Sequence, residues 1–139
     1  PMMSDLQSDL APMFEAVTEN IRVEVLPRHS AENSRPAPGE WDLASPVRIT
    51  NQGADTVPLL TRHWIITDAN GRVKEVRGEG VVGEQPHLEP GQGFRYSSGA
   101  VLETPVGTME GSYQMVDAEG RRFDAPIPPF RLAIPGILQ

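Results

Sequence analysis

Cysteine is absent from the 139 residues, which removes disulfides, thiolate zinc sites and cysteine nucleophiles together. Positive charge is scarce: 12 Lys and Arg stand against 19 Asp and Glu, a formal net charge of −7. A chain of that sign lacks the basic footprint that supplies most affinity for nucleic acid and for anionic lipid. Neither partner is expected. No apolar run nears the roughly 20 residues that cross a bilayer, and no signal-peptide pattern opens the sequence. A cytoplasmic domain without membrane insertion is the expectation.

Turn formers, by contrast, are plentiful. The 13 glycines and 14 prolines make up about a fifth of the chain, against about 12% in average usage. They are spread out without a period, as many short strands joined by tight turns require. The length suits one domain able to bury roughly two-thirds of its unfolded surface.

Residues 1–20 are acidic and broken by Pro12, so they read as a flexible N-terminal arm ahead of a domain over residues 21–139. From Ile21 the period becomes two. Ile21, Val23 and Val25 alternate with Arg22 and Glu24, then Trp41, Leu43, Ser45, Val47 and Ile49 alternate after a long loop. Pro46 inside that second run is expected at a bulge or on an edge. Leu60, Trp64 and Ile66 define one face of the next strand, with Arg62 near its entrance. Asp68-Ala69-Asn70-Gly71 and Asp117-Ala118-Glu119-Gly120 share one hairpin grammar, with glycine supplying a left-handed residue at the last turn position. Leu88-Glu89-Pro90-Gly91 spells a type II turn into Phe94 and Tyr96. Phe130, Leu132 and Ile134 share a face of a last strand over 128–134. The pattern predicts an all-β antiparallel sandwich of about seven to eight strands of 5–9 residues, with no crossover helix. Trp64, Ile66, Phe94 and Tyr113 are the expected core anchors.

Gly78-Glu79-Gly80-Val81-Val82-Gly83 spells GxGxxG. In a dinucleotide fold a helix grows from that motif and aims free N–H groups at pyrophosphate. Here Pro86, Pro90 and Gly91 follow, which leaves no room for the helix, and Glu79 and Glu84 carry the wrong charge. The motif reads as a loop needing unusual backbone angles. Gly78, Gly80 and Gly83 remain candidates for an anion nest built from backbone N–H groups alone. His29, His63 and His87 have no i, i+2 spacing, and Glu75, Glu79, Glu84 and Glu89 are loosely spaced, so no metal site is expected. Ser97-Ser98-Gly99 lacks the elbow glycine of Gly-x-Ser-x-Gly. No catalytic residue, and no cofactor, is assigned.

Arg62-His63-Trp64-Ile65-Ile66-Thr67-Asp68, then Gly71 and the glycine motif through Pro86, is similar to the ApaG (CorD) family. The similarity continues through Leu88-x-Pro90-Gly91, Phe94, Tyr96, Ser98-Gly99, Leu102, Gly107, Met109, Gly111-x-Tyr113-x-Met115 and Phe130-x-Leu132, from about Ile21 to Pro135. The resemblance implies a bacterial, fibronectin type III-like sandwich without established catalysis. It also implies a genetic association with cobalt resistance and Co²⁺/Mg²⁺ efflux. Related domains in eukaryotic F-box proteins and in a polymerase-delta-interacting protein make a protein-binding role natural, and pyrophosphate binding has been proposed for the glycines. Two functions compete on this reading. One is a non-enzymatic module docking an unknown protein, or pairing with itself across a sheet edge. The other is a sensor of nucleotide, pyrophosphate or divalent metal acting through the Gly78–Gly83 loop.

Overall fold

The computed structural model describes residues 14–26 and 39–133. It contains nine strands: β1 (Phe14–Thr18), β2 (Ile21–Val25), β3 (Trp41–Asn51), β4 (Val57–Asp68), β5 (Val73–Glu79), β6 (His87–Leu88), β7 (Gly93–Leu102), β8 (Val106–Val116) and β9 (Arg122–Ala133). No helix occurs among the described residues. One sheet has the order β1-β2-β3-β7; the other runs β5-β4-β8-β9, with β6 added to the start of β4. All pairings are antiparallel. The chain is an antiparallel β-sandwich.

The alternation read from the sequence buries Ile21, Val23, Leu43, Val47 and Ile49 from one sheet against Trp64, Ile66, Met109, Tyr113 and Leu132 from the other. Trp64 stands edge-on to Tyr113 (ring centroids 6.1 Å) and to Phe130 (6.3 Å), the arrangement the ring quadrupoles favour. Phe94 is half-buried and packs against this core.

Several local expectations are corrected. Phe14–Thr18 form a strand paired with β2, not part of an arm; residues 1–13 lie outside the described residues. The hairpin turns on Glu19 and Asn20, both at positive φ (47° and 67°), a two-residue turn whose twist matches its strands. Pro46 sits in a central strand, opposite Ser97 with no break in register. Its carbonyl accepts from Leu26 N–H at 2.9 Å, so its missing donor faces the last residue of the β2 side and interrupts no longer ladder. Leu60 is off the core face: a register shift between Leu59 and Thr61 moves the inward set from Val57 and Leu59 to Trp64 and Ile66. The last strand starts at Arg122 and runs through Pro126, Pro128 and Pro129. It pairs only with β8, and an edge strand tolerates proline. Ile134 lies outside the described residues.

Both Asp-x-x-Gly hairpins form as read. Gly71 N–H donates to the Asp68 carbonyl (3.1 Å) and Gly120 N–H to that of Asp117 (3.0 Å), with φ +85° and +83° at the glycines. In each, the aspartate Oδ1 accepts two backbone N–H groups at 2.9 Å. The sandwich closes along one side, where Phe14 meets Phe130 (5.9 Å). Among the described residues the opposite side, between β5 and β7, is open.

Candidate functional site

The open side carries the glycine motif and a cavity. Gly78 pairs opposite Arg62, one residue before the pairing of β5 ends at Glu79 opposite Thr61. Val81 and Glu84 then exchange backbone hydrogen bonds (2.7 and 2.9 Å), closing a two-residue turn over Val82 (φ +50°) and Gly83 (φ +76°). No helix follows. Each glycine has its own steric reason. A Cβ on Gly78 would lie 2.8 Å from the Arg62 guanidinium, and one on Gly80 would lie 1.8 Å from the Glu84 carbonyl oxygen. Gly83 holds the left-handed position. The N–H groups of Gly80, Val81 and Glu84 are engaged with Leu60, Glu84 and Val81, which leaves little of the loop to form an anion nest.

Beside this turn lies a cavity of about 230 Å³. Its floor is Trp64, Ile66, Val76 and Met109; its rim is Arg62, Val82 and the β7 segment from Tyr96 to Gly99. Arg62 shares the inward face of β4 with Trp64 and Ile66, so a cation is set at the mouth of an apolar interior. Its Nη1 donates to the carbonyl oxygens of Gly80 (2.9 Å) and Glu79 (3.2 Å). The phenolic oxygens of Tyr96 and Tyr113 are 2.5 Å apart. Burial pushes the Tyr96 phenol up, and the Tyr113 phenol well up, with the nearby Arg62 charge opposing only in part. Both phenols therefore stay neutral, and one of them donates its proton to the other.

The open side is also apolar at its surface. Among the described residues the exposed large hydrophobics are Val17, Val73, Val82 and Val101. Three of the four flank the open side: Val82 on the turn, and Val73 and Val101 across a smaller hollow that shares Ile66 with the cavity. Lys74 spans the gap by donating to the Val101 carbonyl (3.3 Å), and Arg72 pairs with Glu103.

The remaining candidates do not gather there. His63 points to the outer face of β4 and meets Glu75 at 2.8 Å. His87 pairs opposite Pro58 in β6, and His29 lies outside the described residues. Ser97 and Ser98 line the cavity from β7, in the sheet opposite the one that carries His63. No group of three His, Cys, Asp or Glu that could hold a metal occurs among the described residues. Sequence reasoning placed Arg62 only at a strand entrance. The available signal was its spacing: a cation two residues before Trp64, on the same side of the strand.

The fold and its open side define a fibronectin type III-like β-sandwich with an apolar, partly cationic flank. The ApaG domain model matches residues 31–117. Protein ApaG of Azoarcus sp. (strain BH72) is 51% identical over 126 residues, covering 91% of this chain and 99% of that protein. A crystal structure of an ApaA protein from Bordetella pertussis is 46% identical, with a TM-score of 0.76, over 91% of this chain and 98% of that one. The X-ray structure of structural-genomics target SoR45 is 47% identical, with a TM-score of 0.78, over 89% and 94%. The chain belongs to the ApaG domain family.

Proposed function

We propose that this chain is a non-enzymatic binding module that docks a protein partner on its open side, across the outer strands β5 and β7 and the Val82 turn. The observation that carries this reading is the exposure of three β-branched residues along one flank of an otherwise well-buried fold, Val73 and Val101 across the smaller hollow and Val82 beyond the far end of β5. The two strands flanking them end their sheets, and a sheet edge is a natural dock for an extended chain or for a second copy. The sensor reading is weaker, because the motif's glycines serve backbone packing and the N–H groups of Gly80 and Val81 are already engaged. On the docking reading the family's association with Co²⁺/Mg²⁺ efflux is exercised through the partner. No helix among the described residues is long and apolar enough to cross a membrane.

The test compares partners captured from cell extract by the wild-type chain and by a Val73→Lys, Val101→Lys double variant, followed by reconstitution with the purified partner. A complex that forms with the wild type and is lost in the variant, at an equal melting temperature, supports the reading. A partner held equally by both refutes it. A rise in melting temperature with excess Mg²⁺, Co²⁺ or ATP would favour the sensor instead, by mass action.

A further inference from the structure

Arg62 stands out electrostatically. It is half-buried, and no carboxylate among the described residues pairs with it. Its protein partners are two neutral carbonyl oxygens, both served by Nη1. A desolvated charge without a counter-charge is costly to keep. The chain nevertheless makes room for it: Gly78 has no side chain where a Cβ would fall 2.8–2.9 Å from three guanidinium atoms. With Nη1 committed, the guanidinium retains Nε–H and the two Nη2–H groups. Those form the fork that a planar carboxylate takes with two parallel hydrogen bonds.

We propose that the cavity beside Arg62 is a binding site for a carboxylate carried on a compact apolar stem. The guanidinium takes the carboxylate, and Trp64, Ile66, Val76 and Met109 take the stem. Size, charge and polarity each restrict the ligand. At about 230 Å³ the cavity is smaller than the roughly 300–1,000 Å³ typical of drug-sized ligands, which suits a group like one amino-acid side chain with its carboxylate better than a whole nucleotide. One cation balances one negative charge, where a pyrophosphate would bring several. The apolar floor offers nothing to further phosphate oxygens, whereas the neutral Tyr96 phenol on the rim brings no charge to repel an anion. The site differs from a glycine nest in resting on a side chain, and it stands whether or not a protein docks on its rim. The carboxylate could belong to a free branched acid or to the C-terminus of a peptide ending in an apolar residue.

The experiment titrates the full chain with 4-methylpentanoate, its neutral amide, inorganic pyrophosphate and a tetrapeptide ending in leucine. The readout is NMR shifts of the Arg62 Nε–H and the Trp64 indole N–H. The acid is expected to shift both signals and to bind at least about tenfold more tightly than the amide, the difference a charged hydrogen-bonded pair supplies. Arg62→Lys should remove most of that difference. Val76→Phe, which fills the cavity and leaves Arg62 in place, should abolish binding while the protein stays folded. Tighter binding of the tetrapeptide than of the free acid assigns the site to chain termini, and the reverse assigns it to a small metabolite; either supports the proposal. Unmoved signals up to about 10 mM acid, equal binding of acid and amide, or pyrophosphate shifting the same signals more strongly than the acid would overturn it.

Discussion

Val82 is a β-branched residue held at φ +50° with about two-thirds of its surface exposed (68%). The left-handed region costs an L-residue about 1–2 kcal/mol, and branching at Cβ makes that worse. Asparagine tolerates the conformation, and Asn followed by Gly is the favoured pair for this two-residue turn; Gly83 already occupies the second place. Val82→Asn sacrifices the buried third of the valine, worth about 0.5–1 kcal/mol. Taking the middle of each range, the net gain is about 0.75 kcal/mol. With about 2.1 cal/mol/K of unfolding entropy per residue, a gain of that size moves the midpoint of this 139-residue chain up by about 2–3 °C. Thermal unfolding followed by circular dichroism, and urea unfolding with an unchanged slope, measure it. An equal or lower midpoint in the variant would refute the assignment of strain to this turn. If the valine is retained for docking, the same variant trades stability for binding, and complex formation should fall as the midpoint rises.

Two further perturbations test the geometry. Gly80→Ala places a Cβ 1.8 Å from the Glu84 carbonyl oxygen at a residue with φ +61°. It should cost about 2 kcal/mol or more by forcing the turn open, seen as a lower urea midpoint; a loss below about 0.5 kcal/mol would contradict the packing. Asp117 is held below the usual carboxylate range, first by the backbone N–H of Arg121 and then by that of Glu119 and the Arg121 charge. A depressed folded pKa contributes stability above the unfolded value of about 3.9, and that stability is lost as pH falls through the folded value. Asp117→Asn keeps the acceptor and removes the charge. Its urea midpoint should be below wild type at pH 7 and should decline less on acidification; parallel declines would refute the role of the charge.

The sandwich was legible wherever local chemistry determines local shape. Asp68 and Asp117, each three residues before a glycine, announced two hairpins that close on the same bonds. Pro90-Gly91 announced its turn, where Gln92 N–H donates to the Glu89 carbonyl (2.8 Å). What escaped was set by partners distant in sequence. The shift at Leu59–Thr61 depends on how β4 meets β8, and nothing in Leu60 itself marks it. β1 escaped because Glu19-Asn20 lacks the glycine that usually signals such a turn, and because its value lies in Phe14 reaching Phe130 across the sandwich. The last strand was read from Pro128, whereas an edge position lets it run from Arg122 through all three prolines. In the site, the glycines were legible as backbone devices, whereas Arg62 became visible only once Gly78 was seen to yield it space.

The prolines of β9 have a consequence for assembly. Pro126, Pro128 and Pro129 deprive that strand of three backbone donors, and Phe14 of β1 packs across the same side. A neighbouring molecule finds no regular row of donors there to continue. Strand-to-strand recruitment along β9 is thereby disfavoured. An edge without that row cannot template the repeated pairing by which a fibre grows.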